Sequence, residues 1–131
     1  MEFVAKLFGI SELNEGKALM VLSIMRGRTS LDGGFSSKLI DSLGSDIAKI
    51  FNDYGLNACT IDNTTEHVKG AIDDGRGVMT TIPTKDGNHD IIIVGYNHNG
   101  YIVYDTDKTA GYYKNIPESD VNAIYMIGIK K

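Results

Sequence analysis

Tryptophan is absent, proline occurs twice and cysteine only once. The first two shortages do not discriminate among fold classes. The third does. A single thiol, Cys59, excludes an internal disulfide and a cysteine-rich zinc site, and it suits a reducing cytosol, so a cytoplasmic location is expected. Long apolar runs are missing too. The longest in the N-terminal third covers residues 18–22, far short of the roughly 20 residues that span a bilayer. No cationic flank or cleavage site frames it as a signal peptide. Nor is there a basic excess: 13 Lys and Arg stand against 17 Asp and Glu, for a net charge of −4. Without a basic stripe, nucleic acid is not an expected partner.

What remains is the composition of a globular domain, with 42% hydrophobic and 23% charged residues. The 131 residues make one domain, 1–131, able to bury about two-thirds of its unfolded surface. There is no repeat, linker or low-complexity tract. Helical periodicity dominates residues 1–75 and strand periodicity dominates 77–131, which points to an α+β fold rather than an alternating array.

Asn14 can cap a first helix over 14–26, with Leu19, Leu22 and Met25 on its apolar face and Gly27 as its stop. A loop carrying Asp32, Gly33 and Gly34 leads to a short helix over 36–43. A clearer helix follows Ser45, where Ile47, Ile50, Phe51 and Tyr54 recur at helical spacing until Gly55. Residues 56–61 read as a short strand. Thr64 or Thr65 caps another helix, which ends at Gly75. Strands are then predicted over 78–82, 88–96, 101–104, 111–114 and 123–129, with a helical turn at 117–120. Ile91 to Val94 form an unbroken apolar run, the pattern of a central strand covered on both faces. The Asn97-His98-Asn99-Gly100 turn folds the second and third of these strands into a hairpin. The expected architecture is N-terminal helices packed on an antiparallel sheet of about five strands.

Three histidines are candidates for chemistry. His67 lies in the first turns of a helix and His98 in a hairpin turn, and neither has a second ligand at metal spacing. His89 opens the central strand beneath the 85–88 loop. Asp105 ends the partner strand. His98 comes nine positions after His89, and Asp105 five positions after Gly100, so folding the hairpin brings the two strand ends near one another. A carboxylate beside an imidazole is the base-and-orienter half of a nucleophilic site. The plainer alternative is that His89 ends a loop and Asp105 starts a turn.

The segments Gly87-Asn88-His89-Asp90-Ile91-Ile92-Ile93-Val94-Gly95-Tyr96 and Gly100-Tyr101-Ile102-Val103-Tyr104-Asp105-Thr106 resemble the C-terminal half of a papain-like cysteine peptidase. The pattern is most similar to the bacteriocin-processing, double-glycine peptidases. Residues 45–56 are similar to that family's second helix, and residues 68–78 to its helix entering the sheet. The resemblance extends over about 10–130 and implies a papain-like fold, with His89 and Asp105 as the histidine and aspartate of the triad. It places Asn14-Glu15-Gly16 where the family usually has Asp-Cys-Gly, so Glu15 stands at the nucleophile position. Gly9 stands where the family has its oxyanion-stabilising Gln. Glu15 is then expected to form an ion pair with His89. Cys59 and the hydroxyls of Ser30, Ser36 and Ser37 are the remaining nucleophile candidates, with Cys59 in a strand that the resemblance puts away from the His–Asp pair.

These readings lead to a catalytically degenerate peptidase-fold domain that binds a peptide or partner protein, with no metal, no cofactor and no membrane insertion. Two alternatives stand beside it. One is a peptidase, amidase or deamidase using His89 and Asp105 with another nucleophile. The other is a small immunity or inhibitor protein.

Overall fold

The spacing of Ile47, Ile50 and Phe51 creates one apolar face on α1, Leu43–Asp53. All three side chains are buried. The second helix, α2, is Thr65–Asp73; Thr64 caps it by accepting a hydrogen bond from the His67 backbone N–H at 3.1 Å. Both helices stop in the same way. Gly55 (φ +90°) and Gly75 (φ +83°) adopt left-handed backbone, which glycine enters without steric cost. Leu56 N donates to Phe51 O at 3.1 Å, and Arg76 N to Ala71 O at 3.0 Å. These bonds, with those of Gly55 and Gly75 to Asn52 and Ile72 at 3.0 and 2.9 Å, form two Schellman endings. Each hands the chain directly to a strand.

The computed structural model describes residues 43–85, 87–105 and 113–131. In them, six strands form one antiparallel sheet: β1 (Asn57–Thr60), β2 (Gly77–Thr84), β3 (Gly87–Asn97), β4 (Gly100–Asp105), β5 (Tyr113–Ile116) and β6 (Ile127–Lys130). Their spatial order is β1-β6-β2-β3-β4-β5. A 3-10 turn, Glu118–Asp120, precedes β6. The fold is α+β. The expected helices over 14–26 and 36–43, and their packing on the sheet, lie outside the described residues.

Two expectations need correction. The sheet has six strands, not about five, because β1 joins it at the edge by pairing with β6. The strand expected over 123–129 is shortened to Ile127–Lys130. Residues 122–126 run beside β2, where Asn122 N donates to Thr81 O at 3.2 Å, but the next bonds involve side chains: Thr80 Oγ1 donates to Tyr125 O at 2.9 Å, and Ile124 N donates to Thr81 Oγ1 at 3.1 Å. Ala123, at φ +39°, breaks the extended backbone.

The apolar run of β3 is indeed central. Ile92 faces one core with Met79, Ile127, Ile129 and α1. Ile91 and Ile93 face a second core with Val78, Val103, Tyr101 and Val68 of α2. Helices on opposite faces therefore force both sides of β3 to be apolar. The β1 edge is closed by a side chain. Asn52 Nδ2 donates to Ala58 O at 3.0 Å, and Ala58 N donates to Asn52 Oδ1 at 2.7 Å. One amide thus occupies both backbone groups of Ala58 that would otherwise be open to another strand.

Phe51 is 0% exposed and lies in the α1 core. Truncation to Ala is expected to cost about 3–5 kcal/mol. Denaturant titration should show a lower midpoint with an unchanged slope; a loss under 1 kcal/mol would mean that α1 is not held by this core.

Candidate functional site

The β2–β3 hairpin turns at Gly87, whose φ is +117°. Thr84 Oγ1 donates to Gly87 O at 2.8 Å and tightens the turn. His89 follows, opposite Ile82 of β2, and is half-buried. Side chains alternate along a strand, so His89 shares a face with Ile91 and Ile93. Ile82 also packs against the α2-side core.

β4 pairs with β3 so that Asp105 is opposite Ile91. Position 105 is therefore a diagonal neighbour of His89 on the same face, at about 7–8 Å by standard sheet geometry. The hairpin is held in this register by Gly100 and by an Asn97 turn, in which Asn99 N donates to Asn97 Oδ1 at 2.9 Å. Glu15 lies outside the described residues.

Asn88 and Asp90, on either side of His89, face the opposite way. Tyr125 OH donates to Asp90 Oδ1, and Asn122 Nδ2 donates to Asn88 Oδ1. Asn122 also accepts from Thr81 Oγ1 at 2.8 Å, and its backbone N–H donates to Thr81 O at 3.2 Å. Thr80 and Thr81 are both buried, and the 122–126 segment satisfies both hydroxyls. Sequence reasoning missed Asn122 and Tyr125. Their partners are 34 and 35 residues away, and no local pattern announces such contacts.

Cys59 is exposed on β1. Its row runs through Gly128 and Val78 to Ile93 on β3. Three strand spacings make about 14 Å across the sheet, and the four residues from Ile93 to His89 add about 13 Å along it. The structure does not bring Cys59 to His89. Instead, Cys59 borders a depression of about 300 Å³ with His67, Ala71, Asp74 and Arg76. There, Lys130 holds the Asp74 carboxyl below its ordinary value, first by a hydrogen bond and then by charge, with Arg76 adding to the effect. A lowered folded-state pKa contributes stability above the unfolded value and loses it as pH falls through the folded value; exposure keeps the effect small. Arg76 Nη1 also donates to Asn57 O at 2.9 Å and Gly128 O at 3.2 Å, tying β1 to β6. His67 Nδ1 lies 2.6 Å from Thr64 Oγ1, and His98 is exposed in its turn. Among the described residues, no group of three His, Cys, Asp or Glu could hold a metal ion, and no helix is long and apolar enough to cross a membrane.

The model of the Peptidase_C39 like family matches residues 22–127. The chain belongs to the Peptidase_C39 like family. No curated protein and no solved structure matches it. The stretch that matches the Peptidase_C39 like family contains both His89 and Asp105. It begins beyond Glu15.

Proposed function

We propose that this Peptidase_C39 like domain spans 1–131 and is a non-catalytic member of its family, binding an extended peptide or a segment of a partner protein on the face that carries His89 and Asp105. The observation that supports this most is the separation of thiol from histidine. Residue 15, aligned by resemblance with the family's nucleophile, is a glutamate, and the chain's one cysteine lies three strands away from His89. Attack by a carboxylate on a peptide would give a high-energy anhydride, and an oxyanion hole alone supplies only residual rate. Gly9 in place of Gln removes a side-chain donor as well. A glutamate beside His89 serves better as an ion-pair partner, fixing a surface on which a peptide can dock.

The test is binding to an array of extended peptides that includes double-glycine leader sequences, with the peptides recovered and weighed afterwards. Intact peptides are expected, with affinity about tenfold weaker in His89→Ala, a change of roughly 1.4 kcal/mol. Affinity identical in wild type and His89→Ala would remove the assigned face from the binding site.

A further inference from the structure

We propose that Asn122 and Tyr125 are positioning residues for His89, acting through the two residues that flank it. The imidazole leaves β3 on one face, while Asn88 and Asp90 leave it on the other. Both of those neighbours are held by a single short segment. Asn122 holds Asn88, and Tyr125 holds Asp90. The segment is itself anchored to β2, since Thr80 Oγ1 donates to Tyr125 O at 2.9 Å and Thr81 Oγ1 donates to Asn122 Oδ1 at 2.8 Å. Between the two holding residues lies Ala123, at φ +39°. A left-handed conformation is unfavourable for a non-glycine residue and persists only where its surroundings over-determine it. Here the bonds on either side of Ala123 do so.

The physical consequence concerns freedom of twist. His89 is only two residues from the Gly87 turn, where a hairpin end is free to fray. Ladder hydrogen bonds to β2 hold the backbone there and oppose rotation of the strand about its axis. Ties on the underside at both i−1 and i+1 add to that restraint and help set the direction in which the imidazole projects. Positioned side chains need this kind of support to hold a productive geometry. The inference deepens the proposed function by naming what directs its central residue. The directional claim can be tested without any peptide.

The experiment follows the ring cross-peaks of His67, His89 and His98 by NMR in wild type, Tyr125→Phe, and Tyr125→Phe/Asn122→Ala. Tyr125→Phe keeps the ring in the core and removes only the hydroxyl. It gives a readable result even if the double variant fails to fold. Ile47→Val, a core change on α1, serves as the stability control. The His89 cross-peak is expected to shift and broaden in Tyr125→Phe and further in the double variant. Those of His67 and His98 should stay in place, and Ile47→Val should move none of the three. A His89 cross-peak unchanged in the variants, or moved equally by Ile47→Val, would overturn the proposal. Peptide affinity should fall about tenfold in the double variant. If the His89 signal moves while affinity does not, the positioning role holds and the binding role of His89 fails.

Discussion

Replacing Glu15 by Cys is expected to create a reactive thiol where the chain has none. The resemblance sets residue 15 at the start of a helix and next to His89. A helix N-terminus and an adjacent imidazole both favour the thiolate, the form that attacks. In a Cys59→Ala background, Glu15→Cys should be alkylated by iodoacetamide well below the pH at which an ordinary thiol reacts, and it should cleave a double-glycine leader peptide slowly. Adding His89→Ala should lower that cleavage by about 10²–10⁴, the range for a positioned general base. Adding Gly9→Gln should raise it by up to about 10²–10³, the worth of one oxyanion donor. A thiol at residue 15 whose reactivity ignores His89 would show that the two residues do not share a site.

Gly100→Ala is expected to be the most damaging single methyl in the described residues. Gly100 has φ +127°, a conformation that costs a residue with a Cβ about 1–3 kcal/mol. The added carbon would also overlap the carbonyl oxygen of Ile116 and come within 3.1 Å of Pro117 Cα. Both obstacles are backbone, so neither can swing away. Relief requires β5 to separate from the turn that closes β3 onto β4. The loss should reach about 3 kcal/mol or more, at the upper end of point-mutation effects. The same change should disturb the His89 and Asp105 register, because both ride on this hairpin. Thermal unfolding of Gly100→Ala beside Gly55→Ala separates the causes: Gly55 has φ +90° with nothing within 4 Å of a Cβ, so it reports strain without the clash. Equal losses at the two positions would refute the steric part of the argument.

The hairpin that carries His89 and Asp105 was readable because its signals are local. An unbroken run of β-branched Ile91-Ile92-Ile93 fits a strand covered on both faces, and Asn97 to Gly100 is a strong turn signature. Counting residues from that turn suggests that position 105 lies near His89, and the register pairs it with Ile91, two residues along β3. Strand order was not readable. Periodicity shows that residues 57–60 are extended, yet nothing local says that β6, some 70 residues later, inserts between β1 and β2. The over-long strand at 123–129 has a similar cause. Ile124, Tyr125 and Met126 look like strand residues, but two buried threonines of β2 take the bonds that a ladder would have used. In the site, a histidine at a strand mouth was visible as a type of residue in a type of place. Asn122 and Tyr125 were not, since their significance lies in what they touch across the fold.

Turnover measurements decide whether this peptidase-fold domain binds without cutting. Purified wild-type protein, Cys59→Ala and His89→Ala are each incubated with double-glycine leader peptides and a wider peptide library, and the products are weighed by mass spectrometry. The expected result is no cleavage product from any of the three. Wild-type cleavage that disappears in His89→Ala alone would contradict it and point to a nucleophile other than Cys59; cleavage that disappears in Cys59→Ala would contradict it and name Cys59 as the nucleophile.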